Sequence, residues 1–377
     1  MISLLRLLVL GLPALGLALA GRAADLPSKS ESPLLWITAY YPGWEQRTLP
    51  PGEIDFRAIT HLVQFSVMPR ADGSVDWAKH GLNESLVKET VRLAHAAGRK
   101  ILLCAGGADS APTFRAALAG DKRAGFVRTL VEAVRAHGYD GLDIDMEPVE
   151  ARDAASYTMF IHELRVELKR SNPDMLLTAA VADLPGTFAE MQDQFDQLNL
   201  MTYAFSGTWE GWVTWHNSAL WSGGYKFPGT ERELPSLDMK VREWLAAGIS
   251  PSKLGLGVAF YAYVWSGASA PRQPIRGVKT RDISYAELMK TYFKPERYHW
   301  DETAGVPYLS VAAEGSKPGA FISFDDERSL RLKIDYGRRM KLGGAIIWEL
   351  ANDYRRDLPA GRRNPLLQAV HDAAFGQ

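Results

Sequence analysis

Eight short apolar runs recur along the chain, separated by stretches long enough to hold a helix, and this alternation constrains the fold more than any other feature. The runs are LLWITAYY (34–41), HLVQFSV (61–67), KILLCAGG (100–107), GLDIDME (141–147), LLTAAV (176–181), LNLMTY (198–203), LGLGVAF (254–260) and GAIIWEL (344–350). Helical periodicity fills the intervals at 83–98, 125–138, 155–170 and 329–343, and again in LLQAVHDAAF near the end. Strands alternating with helices make parallel sheets, and eight such units predict an α/β fold, the (β/α)8 TIM barrel, with catalytic groups at the C-terminal ends of the strands. Two connections are too long for a plain barrel. Residues 204–234 hold Trp209, Trp212, Trp215 and Trp221 among glycines, which suits an ordered aromatic loop over the barrel mouth; the spacing of three also fits one face of a short packed helix. Residues 264–320 follow the seventh strand and contain a helix-like SYAELMKTYF and a strand-like GVPYLSVA, so a small α+β insertion is expected there.

The first residues carry Arg6, an apolar stretch from Leu7 to Ala20 and small residues at Ala18, Ala20, Gly21 and Ala23. The apolar run is shorter than the roughly 20 residues a bilayer requires. It reads as a secretory signal peptide over 1–23, leaving a mature barrel at 24–377 that is secreted or periplasmic. Cleavage after Ala20 and after Ala23 fit equally well. Cys104 is the only cysteine, so no intrachain disulfide forms and stability must come from the core. The 43 Lys and Arg balance 44 Asp and Glu without long runs of either sign, which argues against nucleic acid and, once the signal is removed, against a membrane surface. A monomer is expected.

Within the fourth run, DGLDIDMEP places Asp143, Asp145 and Glu147 at every second position. Side chains on a strand alternate faces, so three carboxyls spaced about 6.6 Å apart line one wall while Leu142, Ile144 and Met146 line the other. Like charges crowded on a buried wall push at least one carboxyl toward its protonated form, the state a general acid needs. A calcium loop would want Gly at Pro148 and Glu at Ala154. A solvated acidic edge conflicts with the apolar alternate face. Other chemistries lack parts: His162-Glu163 does not continue as HExxH, no GxSxG occurs, and Cys104 has no nucleophile context. The eight histidines lack ligand spacing and read as surface or packed residues, so no metal or other cofactor is expected. Clustered carboxyls with 11 tryptophans point to hydrolysis of a neutral polymer, most simply a glycoside.

DGLDIDME resembles the DGxDxDxE signature of glycoside hydrolase family 18, the retaining chitinases and their relatives. YYPGW (40–44), MTY (201–203), VPYL (306–309), SFDDERSL (323–330) and GGAIIWEL (343–350) follow in that family's order. The resemblance implies a retaining, substrate-assisted reaction on chitin or another polymer of N-acetylglucosamine, with Glu147 as acid and Asp145 against the acetamido nitrogen. Asp143 would share a proton with Asp145, and Tyr203 would hold the acetamido oxygen. It further implies that Trp348 forms the floor under the reacting sugar and that Met201, Tyr261, Tyr41 and Trp44 contact substrate. Asp325 and Asp326 are read as helix caps rather than substrate contacts. Four segments depart from the family pattern: Met146 replaces Trp, Cys104 replaces Ser, FYAY (260–263) replaces FYGR, and Ala204 replaces the Asp of MTYD. The last removes an active-site carboxylate. A chitinase-like lectin that binds without turnover, and a hydrolase of N-glycan cores or cell-wall glycan, are the alternatives the pattern leaves open.

Overall fold

The computed structural model describes residues 36–376; the leader expected at 1–23 lies outside them. Eight parallel strands close on themselves: β1 Trp36–Pro42, β2 His61–Pro69, β3 Lys100–Gly107, β4 Gly141–Met146, β5 Leu176–Val181, β6 Gln197–Leu200, β7 Leu254–Ala259 and β8 Gly344–Trp348. Each pairs in parallel with its neighbour in sequence order, and β1 pairs with both β2 and β8, which closes the barrel. All eight correspond to the eight apolar runs, and the fold is a (β/α)8 barrel.

Both faces of these strands are buried, which is why the runs read as continuously apolar rather than alternating. Inward residues Tyr40, Val63, Phe65, Leu102, Cys104, Ala180, Ala259 and Ile346 fill the barrel. Outward residues such as Ile37, Tyr41, Leu62 and Leu142 join helix residues such as Leu130, Phe160 and Leu164 in a second, larger core. Truncating one fully buried leucine there, Leu164 for example, costs about 2–5 kcal/mol.

The helices α1 Glu84–Ala96, α3 Lys122–His137, α4 Ala154–Ser171, α8 Glu327–Arg339 and α9 Pro365–Phe375 fall where periodicity places them. Local chemistry sets their ends: Asn83 accepts from the Leu86 N–H at the start of α1, and Gly138, with φ 76°, closes α3. Three helices are additional, α2 Ala111–Leu118, α5 Pro185–Met191 and α6 Leu237–Ala246. The first two have 8 and 7 residues, too short for a periodic signal.

The insertion after β7 is a five-stranded antiparallel sheet, Tyr261–Ser266, Lys279–Ser284, Tyr298–Asp301, Val306–Val311 and Ala320–Ser323, with α7 Tyr285–Thr291. Its first strand starts at Tyr261, three residues before the expected boundary. The chain passes from β7 into it with only Phe260 between, and the Phe260 N–H bonds to the Trp348 carbonyl, so no turn residue marks the change. Among the described residues no helix is long and apolar enough to cross a membrane.

Candidate active site

Asp143 and Asp145 lie buried inside the barrel on β4, and Glu147 stands half-buried just beyond the strand's end. The register sets Asp143 beside Cys104 and Asp145 beside Gly106. Only glycine fits at 106: its φ is 118°, and a Cβ there would stand 2.0 Å from the Asp145 carbonyl oxygen. The turn that follows fixes Glu147. The Ser110 hydroxyl donates to the Asp145 carbonyl (3.0 Å) and accepts from the Glu147 N–H (3.1 Å), while the Ala111 N–H donates to the Glu147 carbonyl (3.1 Å).

The three carboxyls sit in different environments. Asp143 accepts from the Thr178 hydroxyl (2.5 Å) and the Tyr40 hydroxyl (3.1 Å), which partly offset burial; its pKa rises to about 6. Asp145 is pushed far above the carboxylate range, first by burial and then by the charges of Glu147 and Asp143. Its Oδ1 is buried and has no hydrogen-bond partner among the described residues. Glu147 is also raised, chiefly by burial, with a hydrogen bond to Asp145 opposing the rise and Asp109 adding to it. Burial and mutual repulsion together oppose ionising all three carboxyls at once, so a proton is favoured within the column.

These carboxyls lie beneath a cavity of about 400 Å³ at the C-terminal end of the strands. Asp145, Glu147, Tyr203, Trp348, Met201, Tyr261 and Trp44 all line it. The Trp348 ring packs against Tyr40 (5.8 Å between centroids) and Phe65 (4.9 Å, near-perpendicular), which leaves it half-buried at the end of β8. Tyr203 meets Tyr261 edge-on at 6.3 Å. Burial raises the pKa of the Tyr203 hydroxyl, so it remains a neutral donor. The segment carrying it is tied down: the Ser218 hydroxyl donates to the Thr202 carbonyl (2.7 Å), and the Thr202 hydroxyl donates to the Gly257 carbonyl (2.7 Å). A Cβ at Gly257 would approach Tyr203 to 2.7 Å. A second cavity of about 210 Å³, lined by Asp109, Pro148, Val149, Asp183 and Phe188, shares Glu147 and Met201 with the first, so the cleft continues past Glu147.

Tyr41 is a correction. Its side chain is fully buried in the outer core, where its hydroxyl donates to the Leu49 carbonyl (2.7 Å), and Tyr40 lines the cavity instead. The strand's pleat alternates the two rings, and both faces of β1 are apolar, so composition alone gave no parity. Phe65, His80, Ala108, Ala180 and Ala182 also line the cavity and carry no motif. The loop tryptophans divide. No helix forms between 204 and 234. Trp215 is core, its indole N–H donating to the Pro235 carbonyl (2.8 Å), whereas Trp209 is 53% exposed against Trp212, and none of the four lines the main cavity. Asp326 caps α8 by accepting from the Ser329 N–H (2.8 Å). Asp325 does not; it is buried against Lys333 at 2.6 Å. Ala204 lines the cavity with φ 55°, and its N–H donates to Asn217 Oδ1 (3.2 Å), which also takes the Tyr261 hydroxyl (3.3 Å).

A closed parallel barrel with carboxyls at the C-terminal end of β4, under an aromatic-walled cleft, defines a glycoside-hydrolase architecture. The family pattern of Glycosyl hydrolases family 18 matches residues 37–353, and the chain belongs to that family. It is 31% identical to a probable endochitinase of Caenorhabditis elegans over 326 residues, covering 78% of this chain and 49% of that protein. The chain spans about half the length of the curated relatives it matches. The fold is that of the Ostrinia furnacalis Group IV chitinase solved with allosamidin (TM-score 0.78, 24% identity, 92% of this chain and 100% of that one). It is equally that of human YKL-39, described as a pseudo-chitinase with retained chitooligosaccharide binding (TM-score 0.77, 21% identity, 90% and 99%). The fold therefore does not separate cleavage from binding. The side chains must.

Proposed function

We propose that the protein is an exported, retaining hydrolase of β-1,4-linked N-acetylglucosamine polymers, chitin or its oligomers, acting by substrate-assisted catalysis. The observation that carries this reading is the carboxyl column: Glu147 borders the cavity with its pKa raised, next to an Asp145 whose buried Oδ1 lacks a partner. A raised pKa favours the protonated form of Glu147, which delivers its proton to the glycosidic oxygen. As the leaving group departs, the acetamido oxygen of the same sugar attacks the anomeric carbon and closes an oxazolinium ring. The acetamido N–H donates to Asp145, whose negative charge stabilises the ring cation, while Tyr203 donates to the acetamido oxygen and orients it. Asp143 takes up the proton that Asp145 gives away. Glu147, now a carboxylate, removes a proton from the water that opens the ring from the original side, which restores the acid and retains configuration. Trp348 supplies the apolar floor, with Met201, Tyr261 and Trp44 as further sugar contacts.

A second reading, a lectin that binds the same glycan without turnover, is favoured by one observation, the absence of a carboxylate at Ala204. Purified protein incubated with chito-oligosaccharides, peptidoglycan and a glycoprotein, with products analysed by mass spectrometry and by anomeric configuration, decides among these. Shorter N-acetylglucosamine oligomers released as the β-anomer are expected, and Glu147→Gln should cut the rate at least about 100-fold. Binding without products establishes the lectin; products from the glycoprotein or cell wall alone redirect the substrate.

A further inference from the structure

One end of the cleft is walled by three rings, Trp44, Phe65 and His80. His80 follows the hairpin in which Val75–Asp76 pairs with the end of β2. Its imidazole lies nearly parallel to Phe65, 13° between planes and 5.3 Å between centroids, and meets Trp44 edge-on at 5.4 Å. Nδ1 is 2.7 Å from the Ser66 hydroxyl oxygen, and that hydroxyl is 2.7 Å from the Gly106 carbonyl oxygen. The two contacts together fix the proton. A carbonyl can only accept, so Ser66 donates its single proton to Gly106 and must accept from His80. The ring therefore carries hydrogen on Nδ1, and Nε2 presents a lone pair. Flipping the ring would forfeit the Ser66 bond, and Nε2 has no hydrogen-bond partner among the described residues.

We propose that His80 is a substrate-binding residue, accepting through Nε2 a hydrogen bond from a hydroxyl of the glycan bound in this end of the cleft. The proposal rests on the reading of the cleft as a glycan site. A pyranose brings both things such a wall can use, apolar C–H faces for the rings and outward hydroxyl donors for the lone pair. Burial, and then the charge of Lys79, hold the imidazole pKa below its usual value, against an opposing effect of Asp76, which is itself paired with Arg70. The carboxyls of Asp145 and Glu147 line the same cavity. The ring is therefore a neutral acceptor at neutral pH.

The test uses the Glu147→Gln protein, so that ligand is not consumed, with histidine-selective nitrogen labelling and chitotetraose as the probe. Free protein should show His80 as the Nδ1–H tautomer, and chitotetraose should shift Nε2 toward the shielding of a hydrogen-bonded nitrogen while Nδ1 stays put. Calorimetry then compares His80→Asn, whose amide nitrogen replaces Nδ1 and keeps the Ser66 bond, with His80→Phe, which keeps only the ring. Both should weaken chitotetraose binding about tenfold, the worth of one uncharged hydrogen bond. An Nε2–H tautomer in the free protein, an Nε2 resonance indifferent to ligand, or full affinity in His80→Asn overturns the proposal while leaving the glycan reading intact. Failure of the parent to bind chitotetraose at all overturns both.

Discussion

Glu349 directly follows Trp348 and is buried, and among the described residues its carboxylate accepts one hydrogen bond, from the Ala351 N–H at 2.9 Å. Burial, with Glu45 adding a like charge, pushes its carboxyl from 4.5 up to about 8. In the unfolded chain it loses its proton near 4.5, whereas in the folded protein it keeps it until about pH 8. Because the folded pKa is the higher one, the stabilisation is complete below pH 4.5 and is lost as pH rises through about 8. Each pH unit in that window removes about 1.4 kcal/mol, giving an upper bound of about 5 kcal/mol before relaxation around the charge. Glu349→Gln keeps an oxygen to accept from Ala351 and removes the titration. Urea unfolding of both proteins should show the wild type losing at least about 2 kcal/mol relative to the variant between about pH 5 and about pH 8. Comparing the two proteins cancels the parallel contributions of Asp145 and Asp353, both also raised by burial. A difference that stays constant within about 0.5 kcal/mol across this range would refute the reasoning, because Glu349 would then be reaching water or a partner in the native state.

Three further outcomes follow from the cleft. Tyr40→Phe removes a donor to Asp143, so the Asp143 pKa should rise and turnover of chito-oligosaccharides should fall about tenfold; Tyr41→Phe, losing only the bond to the Leu49 carbonyl, should cost about 1 kcal/mol in urea unfolding and leave the kinetics alone. Ala204→Asp restores a carboxylate to the cavity wall at a backbone φ of 55° that Asp tolerates better than Ala, and should move the basic limb of the pH-rate profile up by about one unit without lowering the maximal rate. An unmoved limb in a folded variant means position 204 does not feel Glu147. Treatment with EDTA should leave activity intact, and strong inhibition by the chelator would contradict a reaction run by carboxyls and the substrate's own acetamido group.

How much of this was legible depends on how each feature is encoded. Barrel strands announce themselves because both faces are buried, so local composition alone identifies them. Insertion strands such as Lys279–Ser284 and Tyr298–Asp301 are short, only partly buried and not continuously apolar, so no local run marks them, and of the five only Val306–Val311 carries a readable strand pattern. The column Asp143, Asp145 and Glu147 was readable because charge is rare on an interior strand and its spacing fixes the parity of β4 without any partner.

The same reasoning explains where reading failed. β1 has an aromatic residue on each face, Tyr40 inside and Tyr41 outside, and nothing local distinguishes them. Parity passes from β4 to β1 only through the closed ring of neighbours, which sets Tyr40 beside Val63 and carries its hydroxyl to Asp143, 103 residues away in sequence. His80 lies further still from a readable signal, since its role depends on Ser66 and Gly106, two residues from two strands, being brought to opposite sides of one hydroxyl proton. A motif can record a side chain that acts through its own strand. A side chain whose chemistry is set by a borrowed hydrogen bond leaves no local pattern, and it becomes visible only once closure of the barrel has put donor and acceptor side by side.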